Sequence, residues 1–209
     1  MTSAAEGMVS TVDPVLGQIV DAARRLAAQG LVVGTTGNVS ARIAGRVWIT
    51  PTRTPYAALR AEDLAAVEVA SGCRLSAATP SMELPLHLAV YRMRSDVRAV
   101  VHTHSPHATA WSFLDRPLEP TTEDLTYHGL GRVETCGGGP PGTQALAESV
   151  GGALRSEHAV LVARHGVVAV GDTVEIAVAR AAAVEHVAHI AWLLRHERSH
   201  VPVPRRGSG

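Results

Sequence analysis

The chain has 209 residues, and its 19 lysines and arginines balance its 19 aspartates and glutamates. That is enough chain for one sizeable core, and zero net charge builds in no field to attract nucleic acid or an anionic membrane. One Phe, three Trp and three Tyr argue against a base-stacking platform as well.

Residues 13–30, DPVLGQIVDAARRLAAQG, read as a helix with Asp13 as N-cap, Pro14 at the first position and Gly30 at C′. Val15, Ile19, Ala22, Ala23 and Leu26 share one face. A Gly/Thr/Asn-rich loop follows, then two strands joined at Ala44-Gly45. LAAVEVASGCRLSA reads as a second hairpin turning at Ser71-Gly72. In SMELPLHLAVYRMR the helical period returns: Leu84, Leu88 and Tyr91 share a face, and Pro85 is tolerable in a first turn. His87 is expected to pack within this helix.

VRAVVHTH is a short apolar strand, and SPHATAWSF opens a helix with Ser105 as cap and Pro106 first. Residues 115–141 show no clear period and read as loop with one strand near 130–135. TQALAESVGGALRS is a helix. HAVLVARHGVVAVG reads as two strands meeting at His165-Gly166, after which Asp172 caps a long final helix. Residues 1–12 and 199–209 are expected to be flexible tails of a single domain spanning 1–209. Interleaved helices and hairpins argue for an α/β fold with a largely antiparallel sheet covered by helices.

Cys73 and Cys136 lack metal spacing and are too few for a disulfide framework. With no basic segment ahead of an apolar one at the start, and no unbroken apolar run near the roughly 20 residues of a membrane span, a cytoplasmic setting is expected.

The chemistry lies in VVHTHSPHA, residues 100–108. Residues i and i+2 of a strand face the same way, about 6–7 Å apart, so His102 and His104 are placed to converge on one cation. A tetrahedral zinc needs at least one further protein ligand, and a catalytic site leaves a position open. His165, at the end of another apolar strand, is the best third candidate. An isolated H-x-H also arises as a polar strand end, and His165 alone reads equally as a histidine at a turn. Glu83, in a first helical turn, is suited to the helix dipole and also to general-base work beside a metal. GTTGNVS at 34–40 offers backbone N–H groups for an anion nest, or is an ordinary loop.

Together, TTGNVSAR, VWITPTRTPYAAL, PSMELPLHLAVYR, AVVHTHSPHATA and LVARHGVVAVG resemble the class II aldolase/adducin-head family over roughly residues 13–195. The resemblance implies a three-layer α/β/α domain on a mostly antiparallel sheet, assembled as a homotetramer with active sites between subunits. It assigns His102, His104 and His165 as zinc ligands and Glu83 as a catalytic acid/base that can touch the metal. Gly37, Asn38, Thr52 and Ser81 match positions that hold a substrate phosphate.

Two departures bear on substrate. Arg53 stands where the family usually has glycine, and Ser81-Met82 replaces a pair of serines. Arg53 offers a charge-assisted contact to a phosphate, or to a carboxylate instead. In the middle loop, PTTEDLTYHG, Glu123 or Asp124 takes the place of a tyrosine that assists proton transfer, and Tyr127 lies close by. The resemblance thus implies a zinc-dependent aldolase, an aldehyde-lyase cleaving a ketose 1-phosphate or related small hydroxy-ketone through a metal-stabilised enediolate. Another divalent transition metal suits the same histidines. The alternatives are a metal-dependent decarboxylase or epimerase on a carboxylate or sugar phosphate, and a metal-free binding module of adducin type. A cupin-like oxygenase is disfavoured by at least four helices.

Overall fold

The computed structural model describes residues 3–114 and 116–198. A seven-stranded sheet in the order β3-β2-β1-β4-β7-β6-β5 forms the middle layer. Its strands are β1 (Asn38–Ile43), β2 (Arg46–Ile49), β3 (Ala65–Glu68), β4 (Ala99–Thr103), β5 (Thr135–Cys136), β6 (Ala159–Val162) and β7 (Gly166–Gly171). Every pairing is antiparallel except β5 with β6.

Period-two alternation sends the strand side chains into two separate cores. Val39, Ala41, Ala99, Val101, Val167 and Ala169 pack with α1 (Ser3–Ala28), α3 (Pro106–Trp111), α4 (Asp124–Tyr127) and α6 (Val174–Arg198). Val47, Ile49, Val100, Val160, Val168 and Val170 pack with α2 (Leu84–Met93) and α5 (Gln144–Ala153). The fold is the expected three-layer α/β/α arrangement, with Asn38, Ser40 and His102 on the α2/α5 face of the sheet by the same alternation.

Gly30 ends α1 as expected. With φ +70° it allows Leu31 N–H to reach Leu26 O and its own N–H to reach Ala27 O, a Schellman closure. The start of α1 differs from expectation. The helix begins at Ser3, not Asp13, with Pro14 inside it, so the stretch expected as a tail is helical from Ser3. Ala4, Ala5, Glu6 and Met8 are good helix formers, and Pro14 removes one backbone donor without ending the helix. The expected tail at 199–209 lies outside the described residues.

Two caps also move, and Glu83 becomes one. Ser105 precedes α3, but its hydroxyl caps nothing. Instead Glu185 of α6 accepts from the N–H groups of His107 at 3.0 Å and Ala108 at 2.7 Å. At α6 the cap is Thr173, whose hydroxyl accepts from Ile176 N–H, and not Asp172. Glu83 is the N-cap of α2 rather than a residue of its first turn.

The second hairpin is short: its return arm is a single bridge, Val67 to Arg74. The strand expected near 130–135 is the pair Thr135–Cys136, and Leu118 bridges Val133 ahead of it. Averaged over Val174–Arg195, α6 is long and apolar enough to cross a bilayer, although charged residues break its apolar run. Its Ala177, Ala181, Val184, Val187 and Ala188 are spent on the core, where they pack against the sheet.

Candidate metal centre

Sheet register builds the site. Asn38 on β1 and Val168 on β7 flank His102 on β4, all on one face. β4 ends at Thr103, and His104 lies just beyond it. His165 sits in the turn between β6 and β7, where Arg164 takes φ +58°. Gly166, where the two strands meet, serves close approach. A Cβ there would lie 2.2 Å from Thr103 O and 3.3 Å from His104 Cα, so only glycine lets β7 run this near the ligand strand. Gly37 (φ +71°) acts alike from the other side, where a Cβ would meet His102 O at 2.7 Å.

The three rings meet edge to face with centroids 4.7–4.8 Å apart. His102 Nε2 is 2.9 Å from His104 Nε2 and 3.3 Å from His165 Nε2. His102 Nδ1–H donates to Val167 O at 2.9 Å, which leaves its Nε2 lone pair facing the other rings. Glu83, 6% exposed, completes the group: Oε2 is 3.3 Å from His102 Nε2 and Oε1 is 3.3 Å from His165 Nε2. Oε1 is buried without a hydrogen-bond partner. Three imidazole nitrogens and an unsatisfied carboxylate oxygen turned on one point fit a divalent cation, and zinc or its first-row neighbours suit that donor set.

Burial disfavours the charged form of His104 and His165. Burial pushes His104 down to about 4, helped by the charges of His102 and His165. Burial likewise pushes His165 down, with His102 adding to it. Burial would push Glu83 up, but the neighbouring His102 and His165 and the hydrogen bond from Asn38 Nδ2–H hold its carboxyl well below the usual range.

Behind Glu83 lies a polar network that the helical period could not reveal. His87 does not pack within its own helix: it is fully buried and reaches across to β1. Its Nε2 meets Asn38 Oδ1, its Nδ1 lies 2.7 Å from Ser40 Oγ, and Ser40 Oγ is 2.8 Å from the Tyr91 hydroxyl. Asn38 Nδ2–H donates to Glu83 Oε2 at 2.9 Å. The legible signal was an alternation of polar residues, Asn38 and Ser40, facing a buried His and Tyr one helical turn apart.

Two cavities flank the histidines. One of about 310 Å³ is lined by Thr35, Thr36, Gly37, Asn38, Thr52, Arg53, Ser81 and Glu83. The Tyr56 hydroxyl donates to Gly37 O at 2.6 Å and braces its loop. Arg53 holds a left-handed backbone (φ +57°) at the exposed rim, and its guanidinium has no partner among the described residues. The other cavity, about 730 Å³, lies beside His104 and His165 and is walled by Phe113, Gly138, Gly139, Pro141 and Ala163. Glu123 and Tyr127 line neither: they flank and end α4, which packs on α6 on the far face of the sheet, and Tyr127 is exposed.

Residues 17–192 match the family described as Class II Aldolase and Adducin N-terminal domain. The chain is 37% identical over 161 residues to L-fuculose phosphate aldolase of Methanococcus vannielii, covering 76% of this chain and 85% of that protein. It is 30% identical over 187 residues to the enzyme of the same name from Haemophilus influenzae, covering 90% and 85%. The crystal structure of L-fuculose-1-phosphate aldolase from Thermus thermophilus superposes with a TM-score of 0.82 at 30% identity, covering 90% of this chain and 98% of that one.

Proposed function

The chain belongs to the class II aldolase and adducin N-terminal domain family, and from that premise we propose that it is a metal-dependent aldehyde-lyase cleaving a ketose 1-phosphate or related small hydroxy-ketone. The observation that carries this reading is the convergence of His102, His104, His165 and buried Glu83. A metal-free binding module would have no use for that arrangement. The ion held there, which we assign as zinc, would supply Lewis-acid polarisation of a substrate carbonyl and would stabilise negative charge as the neighbouring carbon–carbon bond breaks.

The protein groups do the rest. His102, His104 and His165 would hold the ion through ring nitrogens, with Val167 O fixing the tautomer of His102. The bond between the α- and β-carbons breaks, the β-hydroxyl gives up its proton to leave an aldehyde, and the α-carbon gains one. Glu83 carries the α-carbon proton: as carboxylate it takes that proton in the condensation direction, and in cleavage its protonated form returns it. Gly37, Asn38, Thr52, Arg53 and Ser81 border the cavity for the anionic end, and the apolar wall around Phe113 suits the aldehyde half. Glu123 or Tyr127 can serve the aldehyde oxygen only from a neighbouring copy, as in a homotetramer with sites at subunit interfaces. We place the enzyme in the cytoplasm, with small molecules as its partners.

Arg53 favours one second reading. A free guanidinium on the anion cavity matches a carboxylate as well as a phosphate, so a decarboxylase or epimerase of the same family is the alternative. Incubating the zinc-loaded chain with ketose 1-phosphates and with hydroxy-acids separates them. The lyase reading expects dihydroxyacetone phosphate plus an aldehyde. Carbon dioxide release without that pair overturns it.

A further inference from the structure

We infer that His87 is a positioning residue for Glu83: its Nε2–H holds Asn38 Oδ1 and thereby turns the Asn38 amide so that its NH₂ group faces the carboxylate. The inference rests on the reading of Glu83 as proton carrier beside the metal.

The argument starts from charge. Glu83 Oε2 lies 2.9 Å from Asn38 Nδ2. Turned over, the amide would set its own oxygen against an ionised carboxylate at that distance and lose a charge-assisted hydrogen bond. Asn38 has two faces to its amide, so the neighbour on the other face decides. That neighbour is His87 Nε2. For Asn38 Oδ1 to accept there, Nε2 must carry the ring proton. Nδ1 is then an acceptor, Ser40 must donate to it, and Tyr91 donates to Ser40. One proton arrangement satisfies every member, running from Tyr91 to the carboxylate. The opposite arrangement fails at its last link.

The surroundings keep His87 in that state. It is fully buried, and burial pushes its ring down to about 3, so it stays neutral with a single ring proton at working pH. Because Asn38 pairs with His102 in the β1–β4 register, its amide is fixed directly beside the metal ligands. His87 lines neither cavity, and its hydrogen-bonded route to Glu83 runs through Asn38.

Two measurements on the full chain test this. In ring-nitrogen NMR of the protein as purified, His87 is expected to show a protonated Nε2 and a bare Nδ1, unchanged between about pH 6 and 8. A ring protonated at Nδ1, alone or with Nε2, overturns the proposal. In the second, the amide nitrogen of H87Q stands where Nε2 was, and that of H87N stands nearer to Nδ1. H87Q is expected to keep kcat within about threefold, while H87N loses about tenfold or more with KM and zinc content unchanged. Equal kcat in the two variants, or loss of zinc from both, overturns it. If the unmodified chain cleaves no ketose 1-phosphate, the functional reading fails while the ring-nitrogen result still judges the positioning.

Discussion

His87 is held at about 3 in the folded chain, mainly by burial, against the ordinary 6.5 that it regains on unfolding. The unfolded state therefore takes up a proton below 6.5 that the folded state refuses, so stability is complete above that pH and falls as pH drops toward 3. In the metal-free protein this one group should remove about 1 kcal/mol between pH 6.5 and 5.5. Urea titrations across that range should show a shallower fall for H87Q than for the unsubstituted chain; parallel curves would assign the acid sensitivity elsewhere. At this scale the sequence was informative where chemistry follows local spacing. His102 and His104 share a face because strands alternate, and His165 closes an apolar run. It did not by itself pair His87 with β1, because a helical period says which face is buried and not which strand residues meet it. Nor does it reveal that Asn38, lining the anion cavity, spends its amide on Glu83 and His87.

Among the elements, α3 starts two residues after His104, and its free N–H groups are held by a carboxylate 78 residues further on. Glu185 also accepts from His107 Nδ1–H at 2.7 Å, and the His107 ring stacks on His189 with centroids 3.9 Å apart. E185A leaves these donors unpaired and should cost about 1–2 kcal/mol, read as a lower urea midpoint at unchanged slope. It should also weaken metal binding, because His104 loses the fixed start of α3. A midpoint equal to that of the unsubstituted protein would show that solvent replaces the cap at no cost. Local sequence named Ser105 and Asp172 as caps because both residue types cap well. Tertiary contact overruled the first, and the hydroxyl of Thr173, one position on, displaced the second. The strands and α2, α5 and α6 were legible because their apolar periods are strong. Residues 115–141 were not, since α4 and β5 are too short to show a period.

For the molecule as a whole, the three layers set the metal residues on the α2/α5 side and the middle loop on the other. A proton donor from that loop must then come from a second copy. This gives a complementation test: mix H104A chains with chains carrying both E123Q and Y127F, each inactive alone, and reassemble them. If sites form between subunits, about one site in four combines intact residues from both chains and activity returns to that share. No recovery would contradict sites shared between subunits, and full activity of the E123Q/Y127F chain alone would place Glu123 and Tyr127 outside the reaction. The layer order was legible from interleaved helices and hairpins. Which loop lies far from the site was not, because that depends on α4 docking against α6.

The central claim is that three imidazoles and one buried carboxylate hold a single divalent ion. X-ray absorption at the zinc edge of the zinc-loaded chain tests it most directly. We predict one zinc per chain, with three imidazole nitrogens at about 2.0–2.1 Å completed by oxygen, and loss of one nitrogen or of the metal in H165A. A chain that retains no zinc, or a zinc spectrum that H165A leaves unchanged, would contradict the account.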